Sequence, residues 1–178
     1  MKVFRTLVAL AAAGSVSLSA ADLTNVATAK RWNPAECTVV QAGKAMTVNM
    51  PIDHKAGEKK YPIGWPRLYL EKITPAEKDW SKAKAVSFKI KLEFTGKTAK
   101  YPVSFQVKTR GPKETKNATK FFTIPGLVNN KTVTAVLPLK DIKNLDNVVC
   151  LGFNISESQY KHGENLKFTV SDFKLINK

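Results

Sequence analysis

The sequence predicts an all-β domain, either a sandwich or a barrel, built from about nine short antiparallel strands with little helix. The main observation is a repeated alternation of apolar and polar residues, the pattern of strands that bury one face. The second is that turn-forming residues separate these segments, among them Gly43, Pro51 and the pair Gly111-Pro112. Many short strands divided by turns favour antiparallel sheets over a parallel sheet with crossover helices.

The clearest predicted strand covers residues 86–94, where apolar residues alternate with serine, lysine and glutamate. One face of this strand is therefore apolar and the other is charged. Residues 103–108 show the same alternation after a short turn-like stretch. We expect these two strands to pair as a hairpin.

Weaker alternation predicts further strands at residues 37–41, 45–50, 67–73, 121–124, 133–139, 148–155 and 166–176. Helix is expected only as possible short turns at 75–80 and 139–143. No internal repeat or linker divides the chain, so residues 22–178 are expected to form one domain.

The N-terminal residues 1–21 have the pattern of a signal peptide. Lys2 and Arg5 precede a short apolar run, and small residues follow, including Ser19 and Ala21. The run is too short to anchor the chain in a bilayer. An N-terminal core helix is the alternative, but these three features rarely occur together by chance. We expect cleavage near Ala21 and a mature protein that is secreted, periplasmic or at the cell surface.

The mature chain is strongly basic. Without Lys2 and Arg5, 27 Lys and Arg residues stand against 14 Asp and Glu, a net charge of +13. Eleven of these basic residues lie within 82–120, which holds only two acidic residues. Such a charge favours acidic surroundings, and export argues against nucleic acid as the partner. Acidic or sulfated glycans, lipopolysaccharide head groups and plain solubility are the readings left open. No later apolar run is long enough for a membrane span.

Cys37 and Cys150 are the only cysteines, and both fall in predicted strands. In an exported protein they could form a disulfide, worth about 4.7 kcal/mol for so long a loop in the chain-entropy model. Two buried thiols that act as small apolar groups are the equal alternative. Neither cysteine has the neighbouring histidine or the redox spacing expected of a nucleophile.

The sequence contains none of the common catalytic motifs. His54 and His162 are the only histidines, and there is no HExxH, Cys-x-x-Cys, G-x-S-x-G or glycine-rich phosphate loop. Zinc and serine hydrolysis are therefore disfavoured. The carboxylates are scattered singly, which also disfavours a glycosidase that uses a pair of acids. We expect no enzymatic activity.

Three segments carry a resemblance to a known family. They are DWSKAKAVSFKIKLEF at 79–94, KTVTAVLPLKDI at 131–142 and VVCLGFNISESQYKHGENLKFTVSDFKLI at 148–176. The first resembles the strand entry of galactose-binding-like jelly rolls, and the others resemble the last strands of carbohydrate-binding modules with that fold. The resemblance covers about two thirds of the mature chain. It implies a jelly-roll β-sandwich that binds a polysaccharide or other glycan without catalysis.

Glycan binding of this kind uses aromatic rings that stack on the C–H faces of sugars, with planar polar groups for the hydroxyls. Tyr61, Trp65 and Arg67 lie in a stiff, proline-containing loop that leads into a strand, and they are the first candidates. Weaker candidates are Trp80, Tyr101, Asn154 and Tyr160. Core packing is the alternative for every tryptophan, and it is favoured for Trp80, which directly precedes the strongest strand.

The resemblance also implies a possible structural calcium ion, for which Glu36 and Asp172 are the conceivable ligands, although no D-x-D-x-D-G loop exists. No other cofactor is expected. A minor alternative is a jelly-roll polysaccharide lyase, because SQYKHG at 158–163 looks similar to the strand that carries Tyr and Lys in those enzymes. Their companion Gln-x-His and Arg-rich strands are absent here.

The main rival to glycan binding is a structural or adhesion role. Lys89, Lys91 and Lys108 are expected on adjacent strands, with Arg110 beyond them, and together would form a surface for a polyanion or a partner protein. Salt distinguishes the two functions. Binding by lysines weakens as ionic strength rises, whereas stacking on Trp65 persists.

Overall fold

The computed structural model describes residues 21–57, 59, 65–96 and 102–177. Its strands are β1 (Asn33–Ala35), β2 (Thr38–Ala42), β3 (Ala45–Pro51), β4 (Arg67–Leu70), β5 (Ala83–Phe94), β6 (Ser104–Thr109), β7 (Ala118–Thr123), β8 (Thr132–Pro138), β9 (Val148–Asn154) and β10 (Asn165–Asn177). The helical elements are three-residue 3₁₀ turns at Ala29–Arg31 and Glu157–Gln159. Within the described ranges, no helix has the length and apolar character needed to cross a membrane.

The strands form two antiparallel sheets of five, packed as a β-sandwich. The front sheet has the order β1-β4-β9-β6-β7, and the back sheet has the order β2-β3-β10-β5-β8. The predicted all-β sandwich with little helix is confirmed. All nine predicted strands occur, and β1 is the addition. Its three residues, Asn33–Ala35, are too few to show an alternation and include a proline.

Aromatic and aliphatic side chains from both sheets meet between them. Leu68, Phe105 and Phe153 of the front sheet and Phe88 and Phe168 of the back sheet are fully buried. The rings of Phe88 and Phe105 lie 5.0 Å apart, and those of Phe153 and Phe168 lie 5.4 Å apart. Because side chains alternate along a strand, these inward positions determine which residues face solvent on each sheet.

The predicted hairpin of the strands at 86–94 and 103–108 is wrong. β5 pairs with β10 and β8 in the back sheet, whereas β6 pairs with β9 and β7 in the front sheet. The two strands contact each other across the core, through Phe88 and Phe105, and not through backbone hydrogen bonds. Alternation identifies a half-buried strand, but both sheets of a sandwich bury the same kind of face.

Trp32 and Trp80 are core residues. Their indole N–H groups donate to the carbonyl oxygens of Val26 and Glu77, each at 2.7 Å, and both rings are buried. The packing interpretation of Trp80 therefore agrees with the structure, and its ring does not reach any groove at the surface. The short turns at 75–80 and 139–143 form without helical geometry.

Candidate functional site

The candidate site is a groove on the outward face of the front sheet. The strand register places Tyr69, Gly152, Gln106 and Phe121 side by side, one on each of β4, β9, β6 and β7. Since neighbouring strands are about 4.8 Å apart, this row is about 14 Å long. It is long enough to contact more than one sugar unit of a chain.

A second row runs beside the first, through Arg67 on β4, Asn154 on β9 and Ser104 on β6. A cavity of about 560 Å³ lies over the two rows. It is lined by residues of the front sheet and of the segments that adjoin β4 and β9: Trp65, Pro66, Arg67, Tyr69, Ser104, Phe121, Asn154, Ile155, Ser156 and Gln159. The lining combines three aromatic rings with amide, hydroxyl and guanidinium groups.

Two of these aromatic rings are unusually exposed. Trp65 is 65% exposed and Phe121 is 60% exposed, whereas most other large apolar side chains of the described residues are buried. Tyr69 lies between them on the sheet surface and is half-buried. The groove therefore presents flat apolar surfaces to solvent at Trp65 and Phe121, with a tyrosine in its floor.

Gly152 lets the two side chains beside it approach each other closely. A Cβ atom at this position would lie 2.5 Å from Nε2 of Gln106 and 2.6 Å from Cδ1 of Tyr69. Any larger residue would therefore push Gln106 or Tyr69 out of its position. The glycine therefore lets the Tyr69 ring and the Gln106 amide close over the backbone of β9.

Hydrogen bonds fix several polar groups of the groove. The Tyr69 hydroxyl donates to Oδ1 of Asn154 at 3.2 Å, and the Ser104 hydroxyl donates to the backbone oxygen of Asn154, also at 3.2 Å. Nδ2 of Asn154 and Nε2 of the buried Gln106 have no hydrogen-bond acceptor among the described residues. Such amide groups are donors left over for another molecule to satisfy.

Two cations flank the tyrosine of the groove. Nζ of Lys108 lies 4.5 Å from the centroid of the Tyr69 ring, and the guanidinium carbon of Arg67 lies 6.0 Å from it. Of the described residues that line the cavity, none is acidic. The electrostatic character of the groove is therefore positive near Tyr69.

Glu36 supports Trp65 from the turn between β1 and β2. Its carboxylate accepts a hydrogen bond from the backbone N–H of Trp65. Glu36 has a left-handed backbone, with φ of 55°, which turns the chain at this point. The carboxylate therefore fixes the segment that carries the exposed indole directly before β4.

The two conceivable calcium ligands do not lie together. Asp172 is on β10 of the back sheet and forms an ion pair with Lys89 at 2.7 Å, whereas Glu36 binds the backbone of Trp65. The described part of the chain contains no cluster of three or more His, Cys, Asp or Glu side chains placed to hold a metal. Asp172 has a left-handed backbone at a bulge of β10, which explains an aspartate in this strand.

The structure brings together three of the residues that the sequence selects for glycan binding: Trp65, Arg67 and Asn154. Tyr160 is buried, its hydroxyl donates to the Pro102 carbonyl at 2.5 Å, and burial raises its pKa. It therefore lies in the core, as Trp80 does, and the tyrosine of the lyase-like segment has no access to a substrate. Two further candidates, Tyr61 and Tyr101, lie outside the described residues.

Sequence reasoning does not select Tyr69, Phe121, Ser104 or Gln159. Tyr69 had a usable signal, because it lies two residues after Arg67 in a predicted strand and therefore faces the same side. Phe121 had no such signal, because it lies in the groove with Tyr69 of β4 only through the order of strands in the front sheet, and β4 is far away in the sequence.

The expected polyanion surface is also divided between the sheets. Lys89 and Lys91 project from β5 of the back sheet, whereas Lys108 lies on β6 of the front sheet and Arg110 directly follows that strand. Lys89 pairs with Asp172 at 2.7 Å, and Lys91 pairs with a glutamate at 2.9 Å. The expected adjacency is wrong because it depended on the hairpin of β5 and β6.

The possible disulfide is absent, because both cysteines are free thiols. Sγ of Cys37 donates to the carbonyl of Arg67, and Arg67 pairs with Asn154 at one end of β9. Cys150 is four residues back along β9, a distance of about 13 Å. That separation is far beyond the reach of a disulfide.

The two-sheet topology defines the class of fold, which is the β-sandwich of carbohydrate-binding modules, as the sequence resemblance implies. The chain is similar to the module CtCBM11, with 18% identity, a TM-score of 0.50 and coverage of 83% of this chain and 88% of that chain. It is also similar to a protein studied for the promiscuous specificity of carbohydrate-binding modules from the β-sandwich superfamily. There the identity is 12% and the TM-score is 0.51, with 85% of this chain and 59% of that chain covered.

A further similar structure is the agarase AgWH50C, with 10% identity, a TM-score of 0.52 and coverage of 84% of this chain. The chain spans only 24% of the agarase. At such identities the likeness establishes the fold and not the ligand. No protein family matches the sequence, and no curated protein matches it significantly.

Proposed function

We propose that the protein is an exported carbohydrate-binding module that binds a polysaccharide in the groove of the front sheet without catalysing a reaction on it. The observation that carries this proposal is the exposure of Trp65 and Phe121 beside Tyr69. A folded domain gains about 25 cal/mol for each Å² of apolar surface that it buries, so large exposed rings leave several kcal/mol unused. A ligand with flat apolar faces recovers that free energy, and a sugar ring has such faces.

The polar groups of the groove support the same ligand. Asn154 and Gln159 supply amides, Ser104 supplies a hydroxyl and Arg67 supplies a planar guanidinium. These are the groups that bind the vicinal hydroxyls of sugars. Apolar faces with a polar rim match a polysaccharide better than a purely apolar lipid or a purely charged ligand.

The non-catalytic character of the proposal is supported by the composition of the groove. Among the described residues, its lining contains no Asp, Glu, His or Cys. Both histidines lie elsewhere: Nε2 of His54 is 3.3 Å from the Glu157 carbonyl, and Nδ1 of His162 is 3.4 Å from a carboxylate oxygen of Asp53. Proton transfer to a glycosidic oxygen needs an acid within hydrogen-bond reach of the sugar.

Export and an acidic ligand belong to the same proposal. The signal-peptide pattern of residues 1–21 supports delivery out of the cytoplasm. The net charge of +13 of the mature chain supports an acidic polysaccharide, since a basic protein concentrates polyanions at its surface.

Affinity electrophoresis of the purified protein tests the site. Gels contain neutral, uronic or sulfated polysaccharides, each at low and at high salt. We expect retardation that persists at high salt, and a loss of about tenfold in affinity for Trp65→Ala and for Phe121→Ala, equivalent to about 1.4 kcal/mol each. Val40→Ala is the matched control, because Val40 is 58% exposed but lies on the back sheet.

Equal retardation of Trp65→Ala, Phe121→Ala and Val40→Ala would remove the groove as the binding site. Binding would be assigned to surface charge alone if only charged polymers retarded the protein, if salt abolished that retardation, and if neither Trp65→Ala nor Phe121→Ala changed it.

A further inference from the structure

We propose that Arg67 and Lys108, on either side of Tyr69, form a subsite of the groove that binds an anionic substituent of the sugar chain, a carboxylate or a sulfate. The inference rests on the proposed function and names the chemistry of its ligand. It places anion recognition on the front sheet, at one tyrosine, and not on the lysines of the back sheet.

The first argument is the environment of the two cations. Lys108 lies with Nζ 4.5 Å from the Tyr69 ring centroid, and the guanidinium of Arg67 donates to the Trp65 carbonyl at 3.4 Å. Neither forms an ion pair with a described carboxylate, and this includes Glu71, the acid that follows β4. Arg67 and Lys108 therefore lack a directly paired carboxylate among the described residues, which leaves their N–H groups available to an anion.

The back sheet shows the opposite arrangement. Lys89 pairs with Asp172 at 2.7 Å, and Lys91 and Lys167 both pair with Glu93 at 2.9 Å. Each of these three lysines therefore has a carboxylate partner, although they share two carboxylates and keep one net positive charge. Non-specific attraction of a polyanion by surface charge would not favour one sheet over the other. An anion subsite, in contrast, needs unpaired cations beside the rings on which the sugar stacks.

The second argument is a surplus of hydrogen-bond donors in the same place. Nε2 of Gln106 and Nδ2 of Asn154 have no acceptor among the described residues, and the Gln106 side chain is buried, with only 1% of the residue exposed. Both amides adjoin Tyr69 through the strand register. Because Arg and Lys have donors and no acceptors, the cluster has more donors than acceptors, and a carboxylate or sulfate would bring additional acceptor atoms.

The geometry also explains why Tyr69 separates the cations. Both cations lie over its ring, whose negative face attracts positive charge, and this holds them near each other without a carboxylate between them. The anion of a bound sugar would then replace the solvent around Arg67 and Lys108. A sugar ring over Tyr69 would carry that anion on its edge.

Matched polymers test the subsite in the intact protein. The pairs are polygalacturonate against its methyl ester, for a carboxylate, and dextran sulfate against dextran, for a sulfate. At about 0.15 M salt we expect the anionic member of at least one pair to bind about tenfold more tightly than its neutral partner. Lys108→Met keeps the apolar stem over Tyr69, and we expect it to remove most of that preference, so that the two members of the pair bind with affinities within about twofold of each other.

Lys91→Met on the back sheet is the control, because it changes the net charge by the same amount. Arg67→Gln provides a second variant at the subsite, and thermal melting verifies that each variant is folded. Equal losses from Lys91→Met and Lys108→Met would overturn the subsite in favour of diffuse charge.

Other outcomes separate the subsite from the proposed function. Binding that depends on Trp65 but is equal for both members of every pair would overturn the subsite and leave glycan binding in place. No binding of any polymer in this set or in the affinity gels would overturn both. A preference for dextran sulfate alone, or for polygalacturonate alone, would identify which anion the subsite takes.

Discussion

The carboxylate of Glu36 accepts a hydrogen bond from the backbone N–H of Trp65, so a turn of the neighbouring strand pair holds the most exposed ring of the groove. The contact joins residues 29 positions apart. In the proposed function Glu36 therefore has a positioning role, because its side chain contacts the backbone of Trp65 and not a ligand.

Glu36→Ala should therefore weaken glycan binding through the loss of a preorganised Trp65. We expect affinity to fall about threefold to tenfold with little change in thermal stability, since the turn is exposed. Titration calorimetry with a polysaccharide that binds the wild type measures the change. Glu36→Gln keeps an acceptor oxygen and should recover most of the affinity, which a purely structural role of the turn would not produce. Equal affinities for all three proteins would contradict the positioning role.

Gly152→Ala should disturb the floor of the groove. The new methyl group would lie 2.5 Å from Nε2 of Gln106 and 2.6 Å from Cδ1 of Tyr69, so a side chain must move. Overpacking of this kind costs about 1–3 kcal/mol of stability. We expect urea denaturation to show that loss, together with weaker binding from the displaced tyrosine.

A double-mutant cycle with Gln106→Ala provides the control for Gly152→Ala. Truncation of Gln106 removes two of the three closest contacts of the added methyl group. The double variant should be more stable than the sum of the single losses predicts, by about 0.5–3 kcal/mol. Simple additivity would show that the clash is relieved in another direction.

The cysteines should remain unlinked and differ in reactivity. Burial raises the pKa of Cys150 to about 11, so only about one thiol in a thousand is ionised at pH 8. Burial also raises the pKa of Cys37, but this residue is half-buried at the edge of a surface cavity. We expect iodoacetamide to modify Cys37 first and Cys150 only after unfolding, as measured by peptide mass spectrometry. A Cys37–Cys150 cross-linked peptide from the purified protein would contradict this arrangement of β4 and β9.

The comparison of sequence with structure separates local from long-range information. Alternation predicts nearly every strand, because burial of one face has a local signature. It does not predict which sheet a strand joins: β5 and β6 share one pattern but lie on opposite sides of the core, in contact through Phe88 and Phe105.

The groove was partly predictable for the same reason. Trp65 and Arg67 were selected from a proline-containing segment, and Tyr69 follows from the period of a strand. Phe121 and Ser104 join them only through the order of strands in the front sheet, which pairing of distant segments determines. Trp80 and Tyr160 are aromatic residues like Trp65, and only their burial distinguishes these core rings from the exposed ring of Trp65 in the groove.

The ion pair of Arg31 with Glu77 should make stability depend on acid pH. Arg31 donates to both carboxylate oxygens, at 2.5 and 2.7 Å, and Thr74 donates to one of them through its backbone N–H and its hydroxyl. Burial raises the pKa of Glu77, but these hydrogen bonds outweigh burial and hold the pKa below its ordinary value of 4.5.

Because the folded-state pKa of Glu77 is lower than the unfolded value, its stabilising contribution is complete above about pH 4.5 and is lost as pH falls through the folded pKa. Glu77→Gln should lower the free energy of unfolding at pH 7 by about 3 kcal/mol, since it leaves Arg31 without its anion. The variant should also lose less stability than the wild type between neutral and acid pH. Urea denaturation at a series of pH values measures both effects.

Asp172→Asn is the control: its pair with Lys89 is exposed to solvent, so this variant should stay close to the wild type at every pH. Parallel stability curves for Glu77→Gln and the wild type would mean that Glu77 titrates alike in the folded and unfolded chains, in conflict with the bidentate contact to Arg31.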